Sequence, residues 1–305
     1  MTNVIITVGV NGNRLDTPGV QIPVSPEEIA ADAKACYDAG AVVCHFHARD
    51  VATRRSTADV RVFADTIAGI RARCPALVET TTGIGPRIDP KTGKPMTDPV
   101  TRQMLRPTDD ERLALIDIDP PQDLGSVAAG SMNMYNPVYP TPSVFANTPY
   151  YITESVKRMA KKQRFGFQFE IFDLGFLDNV TRLIETGVLD LGRRQFWLNY
   201  IFGFGGLAPD ARNLCLVSGE GRLRFPGIRW GALAPAKEHF MISTVAAALG
   251  ADNLRTGFED TINLPNGSVA VTNAQLVEAL VKAVRSVGRD IASVEEARTL
   301  LNLDE

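Results

Sequence analysis

The sequence predicts an α/β fold, and within that class a (β/α)8 TIM barrel with long loops on the catalytic face. Three observations carry this. Eight short apolar runs recur along the 305 residues, and the segments between them bear helix start and stop signals. Three segments are too long for plain connections, and each follows an apolar run. In a barrel that places them on the carboxyl-end face, where active sites sit.

The runs are residues 4–10, 41–47, 76–82, 125–131, 165–172, 196–202, 225–233 and 254–259. Each has strand length, and eight units in a chain of this size favour closure over an open sheet. After the first run, Ser25-Pro26-Glu27-Glu28 reads as a capping box with Pro at the first helical position. Ile29, Ala33, Cys36 and Tyr37 then share one face, and Gly40 closes the helix. Thr272-Asn273-Ala274-Gln275 repeats the box before Leu276, Leu280 and Val284, with Gly288 as the stop. Ser293-Val294-Glu295-Glu296 opens a last short helix. The expectation is one barrel domain over residues 1–305, with C-terminal helices over 273–303 packed on it. The long segments are 86–123, 132–151 (rich in proline and aromatics) and 203–221. Loops this long serve as lids, binding loops or oligomer contacts, and 132–151 is the expected oligomer contact.

Composition narrows the partners. The formal charge is −3, so no basic field exists to displace counterions from nucleic acid. No apolar stretch approaches the roughly 20 residues of a membrane span. Met1-Thr2-Asn3 puts no basic side chain before the first apolar run, so no secretory signal is expected. Cys36, Cys44, Cys74 and Cys215 are scattered without a CxxC, which points to a reduced, cytoplasmic setting.

His45-Phe46-His47 is the sharpest local signal, because the chain has three histidines in all. Two histidines at i, i+2 at a strand end face the same side. Converging imidazoles at a barrel mouth suit a divalent metal, and zinc is the expected ion. The plain alternative is a pair of hydrogen-bonded polar residues. His239 reads as a helix histidine near the barrel surface. Strand eight offers a better third ligand: period two puts Arg255, Gly257 and Glu259 on one face, with Glu259 at the strand's end. Strand one alone separates it from strand two. His2Glu with an open position is a pattern of catalytic zinc. Polar residues at other strand ends complete a ring: Glu79 and Thr81, Ser131 and Asn133, Gln168 and Glu170, and Asn199. Gly203-Phe204-Gly205-Gly206 can admit a phosphate or pantetheine arm, though it also reads as turn formers. Thr82-Gly83-Ile84-Gly85 is no dinucleotide fingerprint, since Pro86 intervenes before any helix.

These residues, in this order, resemble the β-keto acid cleavage enzyme family. The matching stretches are Pro26-Glu27-Glu28-Ile29, Gly40 to Asp50, Thr81-Thr82-Gly83, Ala129 to Asn133, Phe169 to Asp173, Leu254 to Asp260, and the tail from Asn273-Ala274-Gln275 to Ala297-Arg298. The resemblance implies a (β/α)8 barrel, one zinc per active site and a homotetramer. It also implies CoA transfer, in which a β-keto acid and acetyl-CoA give acetoacetate and a new acyl-CoA. Carried over by position, His45, His47 and Glu259 are the metal ligands. Arg255 and Asp260 form the catalytic dyad, Thr81 and Ser131 hold oxyanions, and Glu170 is the strand-five acid.

One departure bears on substrate choice. Where a family member with an aminated substrate carries Glu after strand one, this sequence reads Asn11-Gly12-Asn13-Arg14. A cation cannot favour an ammonium group, so Arg14 or Asn13 implies a neutral or anionic tail. The region Gly227-Ile228-Arg229-Trp230 keeps the family's Arg-Trp without a following His. Two other readings stand beside this one. A zinc barrel hydrolase of an amide or lactone works without CoA, and a metal-dependent binding protein does not turn over.

Overall fold

A computed structural model of the chain describes residues 2–14, 16–89, 91–136, 139–193 and 195–304. The elements run β1 (Ile5–Gly9), α1 (Pro26–Asp38), β2 (Val43–Phe46), α2 (Val60–Arg71), β3 (Leu77–Thr80), α3 (Asp109–Ala114), β4 (Leu124–Ala128), β5 (Met132–Asn136), β6 (Tyr139–Phe145), α4 (Pro149–Ala160), β7 (Gly166–Ile171), α5 (Leu174–Glu185), β8 (Phe196–Ile201), α6 (Ala211–Arg224), β9 (Trp230–Leu233), α7 (His239–Ala248), β10 (Asn253–Thr256), α8 (Asn273–Ser286) and α9 (Val294–Leu300). Eight strands close in the order β1-β10-β9-β8-β7-β4-β3-β2, and β5-β6 stands outside as a two-stranded sheet. The barrel pairings are parallel, for example Thr7 with Arg255 and His45 with Glu79. This is the (β/α)8 barrel expected from the alternation.

The barrel strands are apolar because helices cover them outside and side chains fill them inside. The expected capping boxes at Ser25, Thr272 and Ser293 each start a helix, and Thr108 adds one, unexpected from the sequence, at the start of α3. Near the strands' amino ends, Ile5, Leu77, Leu124 and Trp197 pack with Val294, Ala297, Leu301 and Leu303. Helix α9 and the residues after it thus cover the base of the barrel with an apolar cluster. The polar residues are left for the opposite mouth.

Several boundaries differ from expectation for physical reasons. The run 225–233 is a strand only from Trp230, because Phe225 terminates α6. The expected loop 203–221 contains the start of α6, hidden by the Gly219 and Gly221 that the helix accommodates. Segment 132–151 folds into the β5-β6 hairpin and then starts α4 with Thr148 as its cap; Pro137 and Val138 within it lie outside the described residues. Segment 86–123 carries two small bridges, Ile88 with Pro95 and Thr97 with Met104, before α3. Among the described residues, no helix is long and apolar enough to cross a membrane.

Candidate active site

His45 is the third residue of β2, and His47 lies one residue past the strand end. Their rings sit at 5.5 Å, centroid to centroid, on one side of the chain as period two requires. Asn11, after β1, fixes the second histidine's backbone. Its side chain accepts from the His47 amide at 2.9 Å and donates to the His47 carbonyl at 3.0 Å.

Glu259 reaches the same point by a different route from the one period two implies. Strand β10 ends at Thr256. Gly257 then takes φ +137°, a conformation open to glycine, and a Cβ there would strike the Gly9 carbonyl. This turn brings the Glu259 amide to Gly9 O at 3.1 Å. Gly12, at φ +51°, lies flat against the Glu259 side chain, which any Cβ would displace. As a result one donor atom each from His45, His47 and Glu259 falls within 4.8 Å of the others. Glu259 Oε2 is 3.3 Å from His45 Nε2, and Oε1 is 3.3 Å from His47 Nε2.

These atoms meet without satisfying one another. His47 Nε2 and Glu259 Oε2 are buried with no hydrogen-bond partner. Buried polar atoms are ordinarily paired, so a convergent set of unpaired nitrogen and oxygen donors marks a place for a cation. Glu79, opposite His45 in the β2-β3 register, sets its Oε1 3.6 Å from His45 Nδ1 and accepts a bond from Gln168. A carboxylate behind a ligating imidazole is the usual outer support of a metal site.

The electrostatics fit the geometry. Burial raises the cost of charge on Glu259, but Arg255, His45 and His47 together outweigh it and hold the carboxyl well below its usual range. Burial pushes the Glu170 carboxyl up to about 7. For His47 burial dominates and keeps the ring neutral to lower pH, the form that can ligate. Arg255 is gripped by acids on two sides. Its Nε and NH2 reach Asp260 at 3.0 and 2.9 Å, and NH2 reaches Glu259 at 2.7 Å.

Above the triad lies a cavity of about 500 Å³ whose walls include His47, Thr81, Glu170, Arg255, Glu259 and Asp260. Asn13 and Arg14 also line it, together with Arg106, Phe145 and Phe204. The Arg14 guanidinium donates through Nε to the Phe258 carbonyl. Burial lowers its affinity for a proton, while Asp260 and Glu259 act to retain it. Thr81 Oγ1 accepts from the Gly83 amide at 2.8 Å, so its own proton remains available for donation.

Ser131 is not brought into this cavity. Its hydroxyl donates to the Asn147 carbonyl at 3.0 Å and accepts from the Asn147 amide at 2.8 Å. His239 is fully buried rather than near the surface. Its ring nitrogens lie 2.8 Å from Ala234 O and 2.9 Å from Thr256 Oγ1, so it braces β9 against β10. Sequence reasoning passed over Arg106 and Arg49. Arg106 comes from a segment without periodicity and donates to Ile84 O at 3.2 Å. Arg49 NH2 donates to the carbonyls of Asn11, Gly12 and Arg14, shaping the loop after β1; its place in His45-Phe46-His47-Ala48-Arg49-Asp50 was the available signal.

The family model described as beta-keto acid cleavage enzyme matches residues 3–303. A 3-keto-5-aminohexanoate cleavage enzyme of Fusobacterium nucleatum is 27% identical over 99% of this chain and 99% of its own. A 3-oxoadipate:acetyl-CoA acetyltransferase of Cupriavidus necator is 26% identical over 98% of this chain and 94% of its own. Among solved structures, a ternary complex of ObcA with a C4-CoA adduct and oxalate shares the fold at a TM-score of 0.70. It is 17% identical and covers 92% of this chain and 67% of that one.

Proposed function

The chain belongs to the beta-keto acid cleavage enzyme family, and from that premise we propose that it converts a β-keto acid and acetyl-CoA into acetoacetate and a new acyl-CoA. The observation that carries this reading is the meeting, in one cavity, of the His45-His47-Glu259 donors with the Arg255-Asp260 pair. The names of the relatives, which pair acetyl-CoA with β-keto acids, agree with it.

In this reading His45, His47 and Glu259 hold zinc, for which two imidazoles and a carboxylate are a suitable donor set. When bound, the ion supplies Lewis-acid stabilisation of negative charge on substrate oxygens. Asp260, oriented by both prongs of Arg255, accepts the proton from the carbon between keto group and carboxylate. The carbanion attacks the acetyl thioester, forming a carbon–carbon bond and expelling the CoA thiolate. The thiolate then adds to the original keto carbon. The bond from that carbon to the former α-carbon breaks, and Asp260 returns the proton to acetoacetate. No oxidant or reductant is required. Thr81 donates its free proton to oxygen that gains charge along the way, a role worth about 3 kcal/mol for one such donor. Glu170, buried in the cavity wall, holds its proton to about pH 7 and can serve as a second donor.

Arg14 and Asn13 read the tail of the acid. A guanidinium lining the cavity favours a neutral or anionic tail, such as a second carboxylate, over an ammonium group. The homotetramer implied by the resemblance and a cytoplasmic setting belong to the same proposal. Sedimentation velocity tests the former. The described cysteines are free thiols, consistent with the latter. The functional test is turnover of a β-keto acid panel with acetyl-CoA, read as new acyl-CoA by mass spectrometry.

A further inference from the structure

We infer that Asn273 and Asp32, neither of which lines the cavity, form a two-residue clamp that positions Glu259 for metal binding. The inference rests on the metal reading given above and adds residues to it.

The clamp is visible in the hydrogen bonds around the ends of β1 and β10. Asn273, the first residue of α8, is fully buried. Its Oδ1 accepts from the Phe258 amide at 2.7 Å, and its Nδ2 donates to the Val10 carbonyl at 2.8 Å. The second hydrogen on Nδ2 goes to Asp32 Oδ2 on α1 at 2.6 Å. Asn is the side chain that fits, because the site needs one acceptor and two donors at once. The acceptor must face Phe258 N–H, and both donors must face oxygen. Asp32 therefore fixes which way the amide points.

The two peptides held by Asn273 lead directly to Glu259. Phe258 precedes it, and the carbonyl of Phe258 is taken by Arg14. Val10 follows Gly9, whose carbonyl accepts the Glu259 amide at 3.1 Å, and Val10 donates its own amide to the His45 carbonyl at 3.0 Å. A single side chain thus ties the turn carrying the carboxylate ligand to the strand next to the histidine ligands. The turn is closed within itself by the Asp260 and Thr261 amides, which both donate to the Gly257 carbonyl at 2.9 Å. The clamp, with the Glu259 amide on Gly9, fixes that closed turn against the end of β1. Outer groups that orient ligands typically change metal affinity by about 10–100-fold when lost.

The test measures zinc affinity by chelator competition, beside thermal unfolding of the metal-free protein and hydrogen exchange at Phe258. The unsubstituted protein is measured first: if it binds no zinc, the metal reading fails and this inference fails with it. Given binding, Asn273→Ala weakens zinc about tenfold or more and speeds exchange at Phe258. Asn273→Asp is at least as damaging, because it turns a carboxylate oxygen toward Val10 O and Asp32. Adding Asp32→Asn to Asn273→Asp restores a donor opposite the new carboxylate and recovers part of the affinity. A residue that merely stabilises the fold predicts lower melting temperatures with unchanged zinc affinity in every folded variant, and that result overturns the inference. If Asn273→Ala does not fold, Asp32→Ala decides. It frees one amide hydrogen and weakens zinc several-fold, and unchanged affinity there is equally fatal to the inference.

Discussion

Arg255 grips Asp260 with two prongs, Nε to Oδ2 at 3.0 Å and NH2 to Oδ1 at 2.9 Å, while both residues lie buried at the barrel mouth. The same guanidinium also reaches Glu259 at 2.7 Å. One cation therefore orients the proposed base and neutralises the proposed metal ligand. Arg255→Lys keeps the charge but cannot reproduce a fork. It is expected to lower kcat with little change in zinc content. Arg255→Ala leaves two buried carboxylates without their cation, and breaking such a pair typically costs about 3–5 kcal/mol. Denaturant unfolding of both variants separates the two effects.

Asp260→Asn keeps the shape and removes the base. Steady-state turnover is expected to drop by roughly 10²–10⁴-fold, the usual worth of a positioned acid or base. Zinc binding should persist, because Asp260 is outside the donor triad. A variant with full activity would remove Asp260 from the mechanism.

Arg14 should govern the tail rather than the chemistry. Arg14→Gln keeps a donor for the Phe258 carbonyl and loses the charge. It is expected to raise KM for a dicarboxylic β-keto acid about tenfold, leave kcat nearly unchanged, and narrow the gap to an aminated substrate. Equal specificity constants for the two tails in the unsubstituted enzyme would contradict the role given to Arg14.

Metal binding should be visible as stability. A ligand that binds only the folded protein adds about 2.7 kcal/mol at one hundred times its Kd. Zinc added to chelated protein is therefore expected to raise the melting temperature, and His45→Ala or His47→Ala should abolish the rise. An equal rise in those variants would place the ion elsewhere.

Asp32 makes stability depend on pH. Burial, only partly offset by the Asn273 bond, raises its carboxyl from 3.8 to about 7 in the folded protein. The folded state then binds this proton more tightly than the unfolded chain. Stability contributed by the group is full below the unfolded value near pH 4 and falls as pH rises toward 7. Asp32→Asn cannot ionise, so its melting temperature should gain on the unsubstituted protein between pH 4.5 and 8. A constant difference across that range would contradict the shift. Asp32 is not among the metal-ligand candidates, so the measurement can be made on metal-free protein.

Much of this was legible in the sequence, and the failures have physical causes. Period two correctly paired His45 with His47, because strand β2 is regular up to Phe46. The same rule reached Glu259 by the wrong path, since the chain leaves β10 at Thr256 and turns on Gly257. His239 was misjudged because α7 is apolar on most of its surface, and a histidine at its start gives no periodic sign of facing the barrel. Ser131 sits at a strand end like a site residue, yet its hydroxyl closes on the backbone of Asn147. Arg106 and the Asn273 clamp depend on contacts between distant segments, which local patterns do not encode.

The central claim is tested most directly by incubating the zinc-loaded protein with acetyl-CoA and single β-keto acids, with mass spectrometry of the CoA pool. The account predicts acetoacetate and a matching acyl-CoA in equal amounts, best from an acid with a neutral or anionic tail, and neither product from His45→Ala or Asp260→Asn. Hydrolysis of an amide or lactone without CoA, with no acyl-CoA from any acid, would contradict it and favour the hydrolase reading.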